Sequence, residues 1–411
     1  MRVVIIGNGV AGQTVAEEIR KSDQDRQIHI FTEESFPFYS RIFLPNFITE
    51  KRSLEKLILK KPEWYEKKNI FLHLNSKVIE INSREKEIRF QKHLSNSDDT
   101  GIMSYDKLVI ATGSKPRRLP FGNPNVKGVF TLRCIVDAEQ IKGYIRSQDV
   151  KELMILGGGL LGIELGYNLS ELGLKIMICE IAPYLLPRQL DSGTAKLLKE
   201  YLEHKGLQII CGEKAEKILG EEHVTGVKFE SGNTISCQMV LQQMGIIPKT
   251  KLAENAGLEV ERGIVVNDFM QTSEEDIYAA GDCIQFNGSI WGIIPACLEQ
   301  AKIAAKSIIN IEQDPYQGTF WSTRLKVAGL NLSCFGKLLS TENLSDGKII
   351  IENTDAEKFI SKKVLIEEKK LQGGIIMGPS NSISGSDRFF LQNLGLEIDE
   401  EQLKKELFLK R

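Results

Sequence analysis

The chain has 411 residues, with 53 Lys+Arg against 55 Asp+Glu, a formal net charge of −2; a length of that order predicts two or three domains. The balanced charge excludes the basic excess that general nucleic-acid or membrane-surface binding requires. The apolar fraction is 42%, and counting the 35 glycines while leaving out the 9 tyrosines brings it to about 48%, within the globular range; this excludes disorder and collagen, and no apolar run approaches the roughly 18 residues of a membrane span.

In chain order, the apolar residues 3–6 run directly into Gly7-x-Gly9-x-x-Gly12, after which apolar residues recur at helical spacing. This predicts strand, tight turn and helix, and no secretory cleavage site follows the apolar start. The chain accordingly reads as cytoplasmic. Gln27–Phe31 is a second strand, which completes a β-α-β unit with a parallel pair and a right-handed crossover. Its glycines permit a tight turn and close approach to a pyrophosphate, and the helix start offers N–H groups to phosphate. Glu33 and Glu34, just past the second strand, are placed to take ribose hydroxyls.

Residues 77–81 and 86–90 alternate apolar and polar side chains ahead of a polar loop at 93–101, the pattern of a small antiparallel meander. The apolar run 108–111 ends in Thr112-Gly113-Ser114-Lys115-Pro116, a strand leaving a domain through a turn. The opening pattern then repeats as Gly157-x-Gly159-x-x-Gly162, with a second strand at 175–179. Glu180 ends that strand near the expected spacing of about 20 residues. A carboxylate there binds the 2′- and 3′-hydroxyls of a ribose and repels a 2′-phosphate, so NADH is preferred over NADPH. Arg188 is the nearby group that would soften this preference.

Residues 277–280 form another short strand, ending in Gly281-Asp282, and a helix is expected over 296–309 behind Pro295. From about residue 319 the tail turns β-rich (348–351, 363–366, 374–377) and closes with a charged amphipathic helix near 400–409, a third α+β domain. Seven cysteines are scattered, odd in number and without a C-x-x-C pair, so no disulfide framework is expected. The histidines 29, 73, 93, 204 and 223 lack metal spacing, so no metal is expected either. Two dinucleotide folds in one chain suit one tightly held flavin and one exchanging nicotinamide, a combination that means hydride transfer.

Three segments carry a family resemblance: Ala111-Thr112-Gly113, Gln243-Met244-Gly245-Ile246-Ile247-Pro248, and Thr272 with Ile277-Tyr278-Ala279-Ala280-Gly281-Asp282-Cys283. They resemble the motifs of the two-dinucleotide flavoprotein reductases, the pyridine nucleotide–disulfide oxidoreductase superfamily. The resemblance implies that Asp282 binds the ribityl chain of FAD. It further implies a cofactor-binding set that includes Arg41, Val78, Ala111, Thr112, Gly113, Gly245, Gly281 and Pro295. Glu164 and Pro45 are the positions it places in catalysis, beside the reacting rings. Trp291 and the helix start at 295–300 resemble the segment facing the flavin pyrimidine, where a helix dipole stabilises an anionic reduced ring. Trp64-Tyr65 reads as core, and the charge runs 50–61 and 400–405 as solvated helix faces.

The missing cysteines narrow the assignment. Single-cysteine members present S-x-x-x-C-G-x-P-Y to the flavin, but here Ser40-Arg41-Ile42-Phe43-Leu44-Pro45-Asn46-Phe47 puts Ile42 near the cysteine position. Cys134, Cys283 and Cys297 read as small buried hydrophobes. What remains resembles the electron-transfer branch, NADH:rubredoxin reductases and the flavoprotein portion of NADH-dependent nitrite reductase. Tyr39-Ser40-Arg41, Leu185-Leu186-Pro187-Arg188-Gln189-Leu190-Asp191 and Leu325-Lys326-Val327-Ala328-Gly329-Leu330 carry that likeness, which covers nearly the whole chain. Two departures stand out: the 411 residues include no cysteine-rich segment, so iron–sulfur and sirohaem modules are not expected on this polypeptide, and the lysine of oxygenase-type ferredoxin reductases is absent near Asn46.

The expectation is an α/β fold with two Rossmann-like dinucleotide-binding domains and a C-terminal α+β domain. FAD would occupy 1–112 with 246–318, NAD 113–245, and the tail domain 319–411. NADH would reduce the flavin, which passes electrons to a small redox protein such as rubredoxin, with no nucleic acid, membrane or metal involved and a monomer or homodimer as the assembly. The alternatives are a thiol-, disulfide- or peroxide-directed reductase, the flavoprotein part of a nitrite reductase system, and a non-catalytic nucleotide-binding sensor.

Overall fold

The computed structural model describes residues 1–92, 99–118, 126–337, 348–380, 383 and 386–408. Its contacts divide the chain into two compact units, Met1–Arg41 with Ser53–Lys115 and Ile246–Thr319, and Ile42–Arg52 with Pro116–Gly245 and Phe320–Arg411.

The first unit is built on a five-stranded parallel sheet in the order Ile277–Ala279, Lys107–Ile110, Arg2–Ile6, Gln27–Phe31, Ile70–His73. Strands covered on both faces need near-continuous apolar sequence, and Val3, Val4 and Ile5 are fully buried. The helices Val10–Ser22 and Ile294–Ile308 pack together in this unit. The second begins at Ile294, so Pro295 lies in its first turn, where a missing N–H costs nothing. Ser76–Asn82, Glu87–Lys92 and Thr100–Ser104 form the expected antiparallel meander, and residues 93–98 of its polar loop lie outside the described residues. Phe31 meets Phe90 at a ring separation of 4.8 Å, joining meander to parallel sheet. Tyr65 is core as expected, though its hydroxyl also bonds Asn8 and Gln13.

The second unit carries a second parallel sheet, Gln208–Cys211, Lys175–Glu180, Glu152–Leu156, Met239–Gln242, Val129–Phe130. The tail forms a five-stranded antiparallel sheet in the order Ser322–Val327, Leu330–Gly336, Lys370–Pro379, Ile360–Glu367, Lys348–Asp355. Its first hairpin was not legible as strands. Ala328 and Gly329 form the two-residue turn at φ +55° and +84°, and alanine is an unusual choice for a position with φ > 0. The closing helix, Glu400–Phe408, buries Leu403 and Leu407 against this sheet; residue 409 lies outside the described residues.

The tail sheet and the second parallel α/β layer share a buried ion pair. Lys363 Nζ sits 3.1 Å from Asp191 Oδ1 and 3.0 Å from Glu352, with Lys363 and Asp191 side chains only 14% and 8% exposed. Asp191 also caps the helix Ser192–His204, accepting from the Thr194 N–H and hydroxyl, and Thr194 in turn meets Ser361. Burial alone would raise the Asp191 carboxyl, but the Thr194 donors and Lys363 outweigh it and hold it below the ordinary Asp value. Lys363→Ala strands that buried carboxylate, so a loss of about 3 kcal/mol in unfolding free energy is expected, measured by urea denaturation; Lys363→Arg should retain most of it.

The segment Ile42–Arg52 departs from expectation. Its helix Leu44–Ile48 packs on Ile135–Ser147 and Leu160–Ser170. Glu50, at φ +59°, pairs with Lys142 at 2.6 Å and Arg146 at 2.7 Å, while Lys51 pairs with Glu171. The charge run from residue 50 is therefore no continuous solvated helix. Only Leu54–Leu57 is helical within residues 50–61, and Glu50 instead pairs with Lys142 and Arg146 of the helix Ile135–Ser147.

Candidate functional site

In both units a glycine turn follows the central strand. Gly7 has φ +114°, and a Cβ there would lie 2.1 Å from the Ala111 carbonyl oxygen. At Gly12 it would lie 1.9 Å from the Gly7 oxygen, whereas at Gly9 it would meet nothing within 4 Å. The second turn repeats this. Gly157, at φ +119°, abuts the Gln243 oxygen at 2.4 Å, Gly162 abuts the Gly157 oxygen at 2.1 Å, and Gly159 faces open space. The outer glycines are thus required by the chain's own backbone, and the middle ones border an open cradle. The helices beginning there, Val10–Ser22 and Leu160–Ser170, have no side-chain N-cap among the described residues. Their leading N–H groups are available to an anion, so this chain's residues fit two pyrophosphates.

The two copies differ past their second strands. Gly7 N–H donates to the Phe31 oxygen and Gly157 N–H to the Cys179 oxygen, which aligns Glu180 with Thr32 and not with Glu33. Glu180 accepts from the Gly158 N–H at 2.7 Å and the Ala182 N–H at 2.9 Å, so its carboxylate is fixed beside the turn. A Cβ at Gly158 would lie 2.9 Å from the Glu180 Cβ; this spacing requirement falls outside the three-glycine pattern. In the first unit Glu33 pairs with Lys249 at 2.7 Å, and Glu34 accepts from Tyr39 and Arg41.

The parallel sheet of the first unit gathers Ala111-Thr112-Gly113 and Gly281-Asp282 beside the first turn, at the carboxyl ends of adjacent strands. Gly281, at φ +91°, donates its N–H to Gln300 Oε1, and a Cβ there would meet the Ala11 Cβ at 2.9 Å. Asp282 accepts from the Ser114 hydroxyl at 2.9 Å, and the Thr112 hydroxyl donates to the Lys249 oxygen. Gly113 has φ +67° with open space around it. Val78 is buried in the meander. Trp291 donates to the Thr319 oxygen at 2.9 Å and packs edge-on against Tyr316.

In the second unit, Glu164 lies on Leu160–Ser170. Burial pushes its carboxyl up to about 7, partly offset by a hydrogen bond from the Lys326 backbone. Among the described residues it has no salt-bridge partner. Asn46 donates to Asn168, whose amide donates to the Glu164 carbonyl at 2.8 Å. Pro45 is buried on Leu44–Ile48, and Gly245, at φ +91°, borders open space.

Burial holds the thiols of Cys179, Cys237 and Cys334 near about 12 and that of Cys283 near about 11, far from a reactive thiolate. Cys134 is not the buried hydrophobe expected: it is half-buried and caps Ile135–Ser147 in a reciprocal box with Asp137. Its thiol accepts a backbone N–H and so takes the place of a serine. The structure also brings His29 within 3.0 Å of His73, on adjacent parallel strands. Among the described residues no group of three metal-binding side chains forms, and no helix is long and apolar enough to cross a membrane.

Residues 1–306 match the model of the pyridine nucleotide-disulphide oxidoreductase family. The chain belongs to that family. Membership makes it an oxidoreductase working with a pyridine nucleotide. It is 35% identical over 381 residues to a nitrite reductase [NAD(P)H] of Bacillus subtilis, covering 92% of this chain and 46% of that one. A rubredoxin-NAD(+) reductase of Ectopseudomonas oleovorans is 30% identical over 353 residues, covering 84% of this chain and 89% of the relative. Among solved structures, NADH:rubredoxin oxidoreductase from Clostridium acetobutylicum superposes with a TM-score of 0.75 at 26% identity, covering 100% and 95% of the two chains. This chain spans about half the length of the first curated relatives it matches.

Proposed function

We propose that the chain is an electron-transfer flavoprotein reductase, with FAD held by residues 1–112 and 246–318 and NADH by 113–245. The tail, 319–411, is the third domain of this scheme. The observation that carries it is the pair of glycine cradles, closed on the outer glycines and open at Gly9 and Gly159. The chemistry supplied when both groups are bound is hydride transfer from nicotinamide to flavin N5, then release of electrons to an acceptor. The chain's own part is placement. Turn N–H groups take the pyrophosphates, Asp282 a ribityl hydroxyl, and Glu180 the adenosine ribose of NADH, where it disfavours NADPH. Pro45 and Glu164 border the reacting rings, with Glu164 able to hold a proton near neutrality. Val78, Arg41 and Pro295 complete the flavin site.

Buried thiols that burial keeps protonated, and Ile42 near the redox-cysteine position, favour a one-electron protein acceptor of the rubredoxin kind over a disulfide relay. Likeness to the nitrite reductase of Bacillus subtilis supports a second reading, a flavoprotein module feeding a nitrite-reducing partner. An anaerobic titration of the yellow protein with NADH, followed at about 450 nm, tests the scheme. One equivalent should bleach the flavin fully, and NADPH should act much more slowly. A requirement for two equivalents, or a long-wavelength thiolate–flavin band, would show an active cysteine and sink the electron-transfer reading.

A further inference from the structure

Four buried polar side-chain atoms lack a hydrogen-bond partner among the described residues: Arg20 Nε, Tyr105 Oη, Gln313 Oε1 and Gln243 Nε2. Two of these side chains are anchored by other atoms. Arg20 donates to the carbonyls of Asp23, Arg26 and Asn69, and the Gln313 amide donates to Ile303 and Ser307. Tyr105 lies on the meander side of the first unit, in its hydrophobic core. Gln243 is placed differently. It is the first residue past the strand Met239–Gln242, and its carbonyl is the atom that forbids a side chain at Gly157.

Sheet order gives that position its meaning. Glu152–Leu156, which feeds the second glycine turn, lies between Lys175–Glu180 and Met239–Gln242. The chain leaves the central strand toward one neighbour and returns on the other, so ligands of such sheets bind at the carboxyl ends between them. Glu180 stands on one flank, the open cradle at Gly159 in the middle, and Gln243 on the other flank. A dinucleotide with its adenosine ribose at Glu180 and its pyrophosphate over Gly159 would extend its nicotinamide half toward this flank, and the Gln243 amide nitrogen, closed to solvent in the free protein, would turn outward to meet it. A buried amide N–H left without an acceptor is costly in the free protein, and a ribose or carboxamide oxygen of that half is an acceptor of the right kind.

We propose that the Gln243 side-chain amide donates a hydrogen bond to an oxygen of the nicotinamide half of the bound dinucleotide, so that this chain reads both ends of NADH. The proposal rests on the reading that residues 113–245 bind NADH. Its test uses the oxidised holoprotein with NAD+ and with ADP as probes, comparing wild type, Gln243→Leu and Gln243→Met by equilibrium titration. NAD+ should bind about tenfold more weakly to both variants, while ADP, which lacks the nicotinamide half, binds within about twofold of wild type. Without nucleotide the variants should melt a few degrees higher, roughly, because the unpartnered donor is gone. Unchanged NAD+ affinity, or equal weakening of NAD+ and ADP, overturns the proposal. Failure of wild type to bind NAD+ overturns the parent reading and this one with it, a result distinct from unchanged affinity in the variants.

Discussion

Gly159→Val should yield folded, yellow protein that NADH no longer reduces. Gly159 has φ −80° and ψ 177°, a backbone conformation open to any residue, and its Cβ would meet nothing within 4 Å. The substitution therefore costs the fold little, and its bulk enters the space assigned to a pyrophosphate. A loss of NADH affinity of at least about 100-fold, roughly 3 kcal/mol, is expected. Gly162→Val is the contrasting case, since the added carbon would sit 2.1 Å from the Gly157 carbonyl oxygen. Helix and strand must then separate, and the cost is expected to be about 3 kcal/mol or more of stability. Flavin reduction kinetics and urea denaturation measured on the same two variants separate ligand space from packing. Wild-type reduction of Gly159→Val by NADH would mean that the open cradle is not where the pyrophosphate lies.

Glu164→Gln should flatten the pH dependence of stability. The Glu164 carboxyl is pushed by burial from its ordinary 4.5 up to about 7. Between those values the folded protein keeps a proton that the unfolded chain has released. Stability from this group is therefore fully present below about pH 4.5, is lost as pH rises toward 7, and stays lost above it. The full span is about 3 kcal/mol. The glutamine variant should match wild type near pH 4.5 and exceed it at pH 8, as read from urea midpoints at several pH values. A parallel pH dependence in the two proteins would show that Glu164 ionises normally. The cause is burial: the Lys326 backbone hydrogen bond offsets it only in part, and among the described residues no cation pairs with the Glu164 carboxylate.

Much of this protein was settled within short windows of chain. The two glycine turns, the strands Gln27–Phe31 and Lys175–Glu180, the meander and the helix behind Pro295 were legible because each follows from local causes: periodicity, φ > 0 at a glycine, or the fixed φ of proline. Closure of Gly7 and Gly157 needed the facing carbonyls of Ala111 and Gln243, yet the glycine pattern alone announced it.

Tertiary structure decided what depends on partners far apart in sequence. Residues 42–52 join the second unit because Lys142 and Arg146 draw Glu50, and Lys363 closes on Asp191 from the tail. The alignment of Glu180 with Thr32 follows from strand register, which shifts by whole residues without changing composition. The unpartnered amide of Gln243 exists only once the strand before it, Met239–Gln242, is paired with the strand that feeds the second glycine turn. A local window carries the preferences of its own backbone and side chains. Which distant group arrives to pair, crowd or desolvate them is set by the packing of the whole chain, and that packing decides the ionisation of Glu164 and the idle donor of Gln243.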